Sequence, residues 1–143
     1  MAKKVIKTSS ELQTTSKIKI SSLIGEDTVR FSFKYLDLSH GKFQVKHRNG
    51  EYIHKLADRL KHYSSMNIRE QLLSSKSKST RFHPIDWDGT TEHDGFTCLN
   101  EELRALDGYE IEVEQKIYGR IHGFILGNIF FIVWLDPDHN LYK

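Results

Sequence analysis

Tyr118-Gly-Arg-Ile-His-Gly-Phe-Ile-Leu-Gly-Asn-Ile-Phe-Phe-Ile-Val-Trp-Leu-Asp-Pro-Asp-His-Asn-Leu-Tyr142 reads as a β-hairpin followed by a polar tail. Two runs of apolar, aromatic and β-branched residues flank Gly127-Asn128, a dipeptide suited to a tight turn with positive φ. The second run, Ile129 to Leu135, is apolar at every position, as expected of a strand covered on both faces. A two-residue turn predicts the pairs Leu126–Ile129, Phe124–Phe131, His122–Val133 and Arg120–Leu135. Arg120 and His122 then share one face near the open end of the hairpin. Asp136, His139 and Tyr142 leave the second strand at that same end. At a rise of about 3.3 Å per residue, these polar groups fall within reach of one another.

Upstream, Tyr109-Glu-Ile-Glu-Val-Glu-Gln-Lys-Ile117 alternates strictly, which predicts a strand with an exposed acidic face and an apolar one. Before it, Thr97 is placed to cap a short helix with Leu99, Leu103 and Leu106 inward, and Gly108 to end it. Arg81 to Phe96 reads as a long connection anchored by Trp87 and Phe96. Ser74 to Thr80 reads as a polar, basic loop. A helix from Asn49 or Gly50 to about Tyr63 presents Tyr52, Ile53, Leu56, Ala57, Leu60 and Tyr63 on one side. Ser64 or Ser65 caps a second, shorter helix with Met66, Ile68, Leu72 and Leu73 inward. Thr28 to Asp37 alternates as a half-buried strand, with Lys42 to Lys46 extending or pairing with it. Residues 1–27 are Lys-, Ser- and Thr-rich and read as a flexible lead or an extra strand. The order predicts a single α+β domain over residues 28–143: an antiparallel sheet ending in a β-meander, with two or three helices packed on one face.

The totals narrow the function classes. At 143 residues with 38% hydrophobic and 28% charged, the chain has the composition of one globular domain. A net charge of +2 permits nucleic-acid binding without announcing it. One cysteine, Cys98, excludes an internal disulfide framework and fits a reducing cytoplasm. No apolar stretch is long enough to span a bilayer, so no membrane partner is expected.

Strand, two helices and a three-stranded meander, with a last strand running into His139-Asn-Leu-Tyr142, resembles the RelE/ParE superfamily of bacterial toxins, and the tail is similar to the YafQ-type ending. The resemblance spans Thr28 to Tyr142. It implies a RelE-like fold and an endoribonuclease of a toxin–antitoxin system, cutting mRNA on the ribosome without a metal or other cofactor. It implies a cognate antitoxin as partner and matches Arg120 to a strand arginine of these toxins. The ParE branch shares the fold and attacks gyrase instead.

Metal-free RNA cleavage needs a base for the 2′-hydroxyl, an acid for the 5′-oxygen and a cation for the phosphate. His139 and His122 are the candidate acid and base, Arg120 the phosphate clamp, and Tyr142 a stacking or hydrogen-bonding group. Arg81 and His83 in the long connection are candidate phosphate contacts. Lys55 and Arg59 on the first helix, with Lys76 and Lys78, form a candidate basic strip for nucleic acid. The same residues have a plainer reading: Asp136-Pro-Asp-His139 also makes a good turn, with Asp136 capping backbone N–H groups and Arg120 pairing with Asp136. His83, Asp86, Asp88 and His93 share one loop but match no established metal spacing. A second functional class stays open: a non-catalytic binding or regulatory module, such as a mobile-element or phage-defence accessory, whose aromatic hairpin holds a protein partner or a second copy.

Overall fold

The computed structural model describes residues 27–73, 82–114 and 117–142. The expected lead therefore lies, Asp27 apart, outside the described residues, as do Lys76, Lys78 and Arg81. Five strands and three helices are described. In chain order they are β1 (Arg30–Ser32), α1 (Gly50–Ser64), α2 (Ile68–Leu73), β2 (His83–Pro84), α3 (Glu101–Arg104), β3 (Gly108–Glu112), β4 (Arg120–Leu126) and β5 (Ile129–Asp136). The sheet runs β1-β5-β4-β3-β2, antiparallel throughout except for β1 against β5. This is the α+β architecture expected from the sequence, with the meander of β3, β4 and β5 at its centre.

The hairpin forms around Gly127, whose φ of 61° is the left-handed value a turn of this length requires at its first position. Leu126 pairs with Ile129 and Phe124 with Phe131, as the sequence predicts. The register then shifts at a β-bulge between His122 and Gly123, so His122 faces Trp134 and Arg120 faces Asp136. The expected pairs with Val133 and Leu135 are displaced by one residue. Gly123 marks the place, because a Cβ there would collide with the Phe131 carbonyl and lie 2.7 Å from the Phe130 ring. The bulge also turns Val133 and Trp134 into one apolar cluster and leaves Ile132 and Leu135 in the other.

Those two clusters cover the two faces of the sheet. On the first, α1 lays Tyr52, Leu56 and Tyr63 against Ile111, Ile121 and Ile132, and α2 adds Ile68. Asn49 caps α1 by accepting from the Tyr52 amide at 3.3 Å. The second face is covered by chain without long helices: Phe43, Ile85, Phe96, Leu99 and Leu141 close over Phe124 and Trp134. Two helices thus share one face, while Leu103 of α3 packs against the other.

Four local readings change. β1 is shorter than the alternation over Thr28 to Asp37, because the chain turns at Phe33–Leu36 (Leu36 N to Phe33 O, 3.1 Å). Tyr35 then crosses to the second face, 5.6 Å from the Phe131 ring. Residues 42–46 run as a bend and a turn, not as a strand, with Phe43 in the second cluster and Val45 against the first. The connection after residue 81 contributes a short edge strand, His83–Pro84, that pairs with β3. The caps of the short helices are Asn67 and Asn100, not the serines and Thr97.

Nor does α2 bury all its apolar residues: Ile68 is 4% exposed, but Leu73 is 84% exposed. Leu73→Ser should therefore shift stability by less than about 0.5 kcal/mol, the scale of a surface change. Denaturant unfolding checks this, since an inward Leu73 would cost about 2–5 kcal/mol on truncation.

Candidate active site

The central strands carry a polar ladder on the second face. Across the sheet, His83 of β2 stands opposite Glu110 of β3, and Glu110 opposite His122 of β4. The next row is Glu112, Arg120 and Asp136. Alternation along β3 puts Glu110 and Glu112 on this face and Ile111 on the other. The face is not the exposed acidic one expected. Glu110 is only 5% exposed, because β2 and the C-terminal tail close over it.

The tail owes its shape to Asp136. Its Oδ1 accepts from the Asn140 amide at 2.8 Å and its Oδ2 from the Leu141 amide at 3.0 Å. Buried Leu141 pins the end into the second cluster, and its carbonyl accepts from the Thr91 amide at 2.7 Å. Arg48 holds Asp138 by an ion pair. Within this turn His139 has a φ of 56°, the one non-glycine residue of left-handed conformation among those described. Such a conformation costs about 1–2 kcal/mol for an ordinary side chain, and imidazole-bearing residues tolerate it better than most. The plainer reading of Asp136 as a turn cap is thus what the structure shows. The same turn nevertheless holds His139 over an open space.

That space is a cleft of about 380 Å³ lined by His83, Pro84, Glu110, Arg120, Asp136, His139 and Tyr142. Arg120 does not pair with Asp136. Its Nη1 donates to Glu110 Oε1 at 2.6 Å, and its Nη2 lies 3.5 Å from Glu112. Tyr142 is half-buried. Burial pushes its phenol above the ordinary tyrosine value, so it stays a hydrogen-bond donor at neutral pH.

His122 lies beneath the cleft and does not line it. It is 0% exposed, with Nε2 3.3 Å from Asp136 Oδ2 and Nδ1 3.9 Å from Glu110 Oε2. Burial alone would raise the Asp136 carboxyl. The hydrogen bonds from His122, Asn140 and Leu141 outweigh it and hold the carboxyl below 3.8. The sign of the consequence is definite. The unfolded chain takes up this proton first, so the stabilisation is complete above pH 3.8 and is lost as pH falls through the folded value. Asp136→Asn should lower stability at neutral pH by about 2 kcal/mol, because hydrogen bonds to a charged acceptor become neutral ones. It should also flatten part of the decline below pH 3.8, read from urea unfolding at each pH. Asp37 and Glu92, which are held low by their own hydrogen bonds, supply other parts of that decline.

The cleft thus gathers His139, Arg120, Tyr142 and His83 from the expected site, with His122 buried behind them. Lys55 and Arg59 stand elsewhere: α1 packs on the opposite face, where Lys55 lies 3.6 Å from Glu114 and Arg59 Nε donates to the Val113 carbonyl at 2.5 Å. Sequence reasoning missed Glu110, which it placed in solvent. A usable signal was present, since Glu-x-Glu on β3 matches Arg-x-His on an antiparallel neighbour in charge. Of the aromatic hairpin, Phe130 is 0% and Trp134 1% exposed, packed into the two clusters. Among the described residues, no group of three or more His, Cys, Asp or Glu is arranged to hold a metal ion, and no helix is long and apolar enough to cross a membrane.

No protein-family model, curated protein or solved structure matches this chain.

Proposed function

We propose that the protein is an RNA endonuclease of the RelE-like toxin type, cleaving a phosphodiester by attack of the adjacent 2′-hydroxyl. The observation that carries this reading is the convergence of His139, His83, Arg120 and Tyr142 on one open cleft. His139, at the rim, takes the 2′-hydroxyl proton. Arg120 exchanges its carboxylate partners for the phosphate, to which it offers two parallel N–H groups. His83 contacts the same phosphate from the sheet edge. Tyr142 stacks on a base or donates to it. The finer parts of the reading are ribosome-bound mRNA as substrate and a cognate antitoxin that covers the cleft. The acidic residues beside Arg120 favour a substrate that brings its own binding energy to displace them, and a large RNA–protein assembly does so.

Inducible expression with a growth readout and mapping of RNA 5′ ends tests the proposal. Growth should stall on induction, with new 5′-hydroxyl ends accumulating in mRNA. Normal growth and unchanged RNA ends, with folded protein accumulating, would defeat it.

A further inference from the structure

Two buried polar atoms behind the cleft lack hydrogen-bond partners, Glu110 Oε2 and His122 Nδ1, and they face each other at 3.9 Å. Buried groups of this kind are nearly always satisfied, so a facing pair calls for a physical cause. The surroundings supply one. Asp136 already accepts from two backbone amides, so towards His122 it is again an acceptor and His122 Nε2 carries a proton. One hydrogen shared between Glu110 Oε2 and His122 Nδ1 would give both atoms the partner they lack. The other charged or titratable groups on Glu110 are Arg120 and Glu112 from the sheet, His83 from β2, and Tyr142 with His139 from the tail.

We infer that Glu110 is the general acid of the cleft, and that His122, fixed by Asp136, is the positioning residue that keeps its proton. This rests on the cleavage reading and completes it, because His122 is too deep to reach a substrate. In the resting protein Arg120 holds Oε1 at 2.6 Å and the proton sits at Oε2, against His122. A bound phosphodiester draws Arg120 away. The carboxyl then turns about χ3, a broad and two-fold torsion, and presents the proton to the cleft. As the 2′-oxygen attacks phosphorus, its proton passes to His139. The P–O5′ bond breaks, and the 5′-oxygen takes the Glu110 proton. The products are a 2′,3′-cyclic phosphate and a 5′-hydroxyl. Glu110 is left ionised and His139 protonated, and exchange with water resets both.

Glu110→Gln isolates the role. Its amide can accept from Arg120 and donate to His122 Nδ1, so the fold and thermal midpoint should be kept. Two substrates are compared: an RNA dinucleotide, and a uridine 3′-phosphate ester of 4-nitrophenol, whose leaving group needs no acid. The variant should lose about 100-fold or more on RNA but less than about threefold on the nitrophenyl ester. His139→Asn should lose rate on both. Equal losses by Glu110→Gln on the two substrates, or none on RNA, would overturn the assignment while leaving the cleavage reading intact. A wild-type protein that cleaves neither substrate and leaves mRNA within ribosomes intact sinks both; one that cuts only within ribosomes is compared there, where a Glu110→Gln loss below about 100-fold overturns the assignment. Independently of activity, Glu110→Gln should shift the Nδ1 resonance of His122 in the ¹⁵N spectrum of the resting protein. An Nδ1 resonance unchanged by that substitution contradicts the inference.

Discussion

Gly119→Ala should strip the fold of much of its stability. Gly119 has a φ of 70°, and a Cβ there would overlap the Asp136 carbonyl and lie 2.6 Å from Pro137 Cα. Both obstacles are backbone, so no rotamer change relieves them. The Gly119 carbonyl also accepts from the Val113 amide at 3.1 Å, tying β4 to the end of β3. The left-handed conformation alone costs an alanine about 1–2 kcal/mol. Prising the start of β4 from the end of β5 should bring the total above about 4 kcal/mol, most of a typical domain's stability. Gly127→Ala is the control, since its φ is 61° but nothing lies within 4 Å of the added carbon. It should cost only about 1–2 kcal/mol, the conformational part by itself. Equal losses in urea unfolding would show that the close approach at Gly119 is not what fixes the mouth of the cleft.

His139→Asn should abolish RNA cleavage while leaving the protein folded. Asparagine adopts the left-handed conformation more readily than other side chains, so the turn that Asp136 closes is kept. What is removed is the imidazole. Loss of a positioned general base lowers the rate by about 100- to 10,000-fold, and single-turnover cleavage of an RNA oligonucleotide reads it directly. His139→Gly separates function from stability further. It relieves the left-handed strain and should hold stability within about 1 kcal/mol of wild type while remaining inactive. A rate unchanged in both variants would remove His139 from the chemistry and leave it a turn residue.

How much of this was legible in the sequence follows from which interactions are local. The hairpin, α1 and the meander rest on periodicity and turn chemistry between near neighbours, and all three are present, although β3 ends at Glu112, short of the alternation that ran to Ile117. The register slip at Gly123 was not legible, since a bulge is set by the approach of the Phe131 backbone and the Phe130 ring. The premature end of β1 has a similar origin: Phe33 continues the alternation, yet Tyr35 is drawn to Phe124 and Phe131 on the other face. For the site, Arg120, His139 and Tyr142 could be grouped because the hairpin and its tail are contiguous. Glu110 could not be called buried without knowing that β2 and the tail cover it. Asp136 could be read as a cap from its own turn, but its bond to His122 required the bulged register.

The most direct test of the cleavage reading is a comparison of two RNAs, identical except for one 2′-deoxy nucleotide at a mapped cleavage position. Each is offered to the purified protein both free and as mRNA within ribosomes. The account predicts cutting of the all-ribose strand to a 2′,3′-cyclic phosphate and a 5′-hydroxyl, and no cutting at the deoxy position. Cleavage that ignores the missing hydroxyl, or folded protein that leaves both strands intact in both settings, would contradict it.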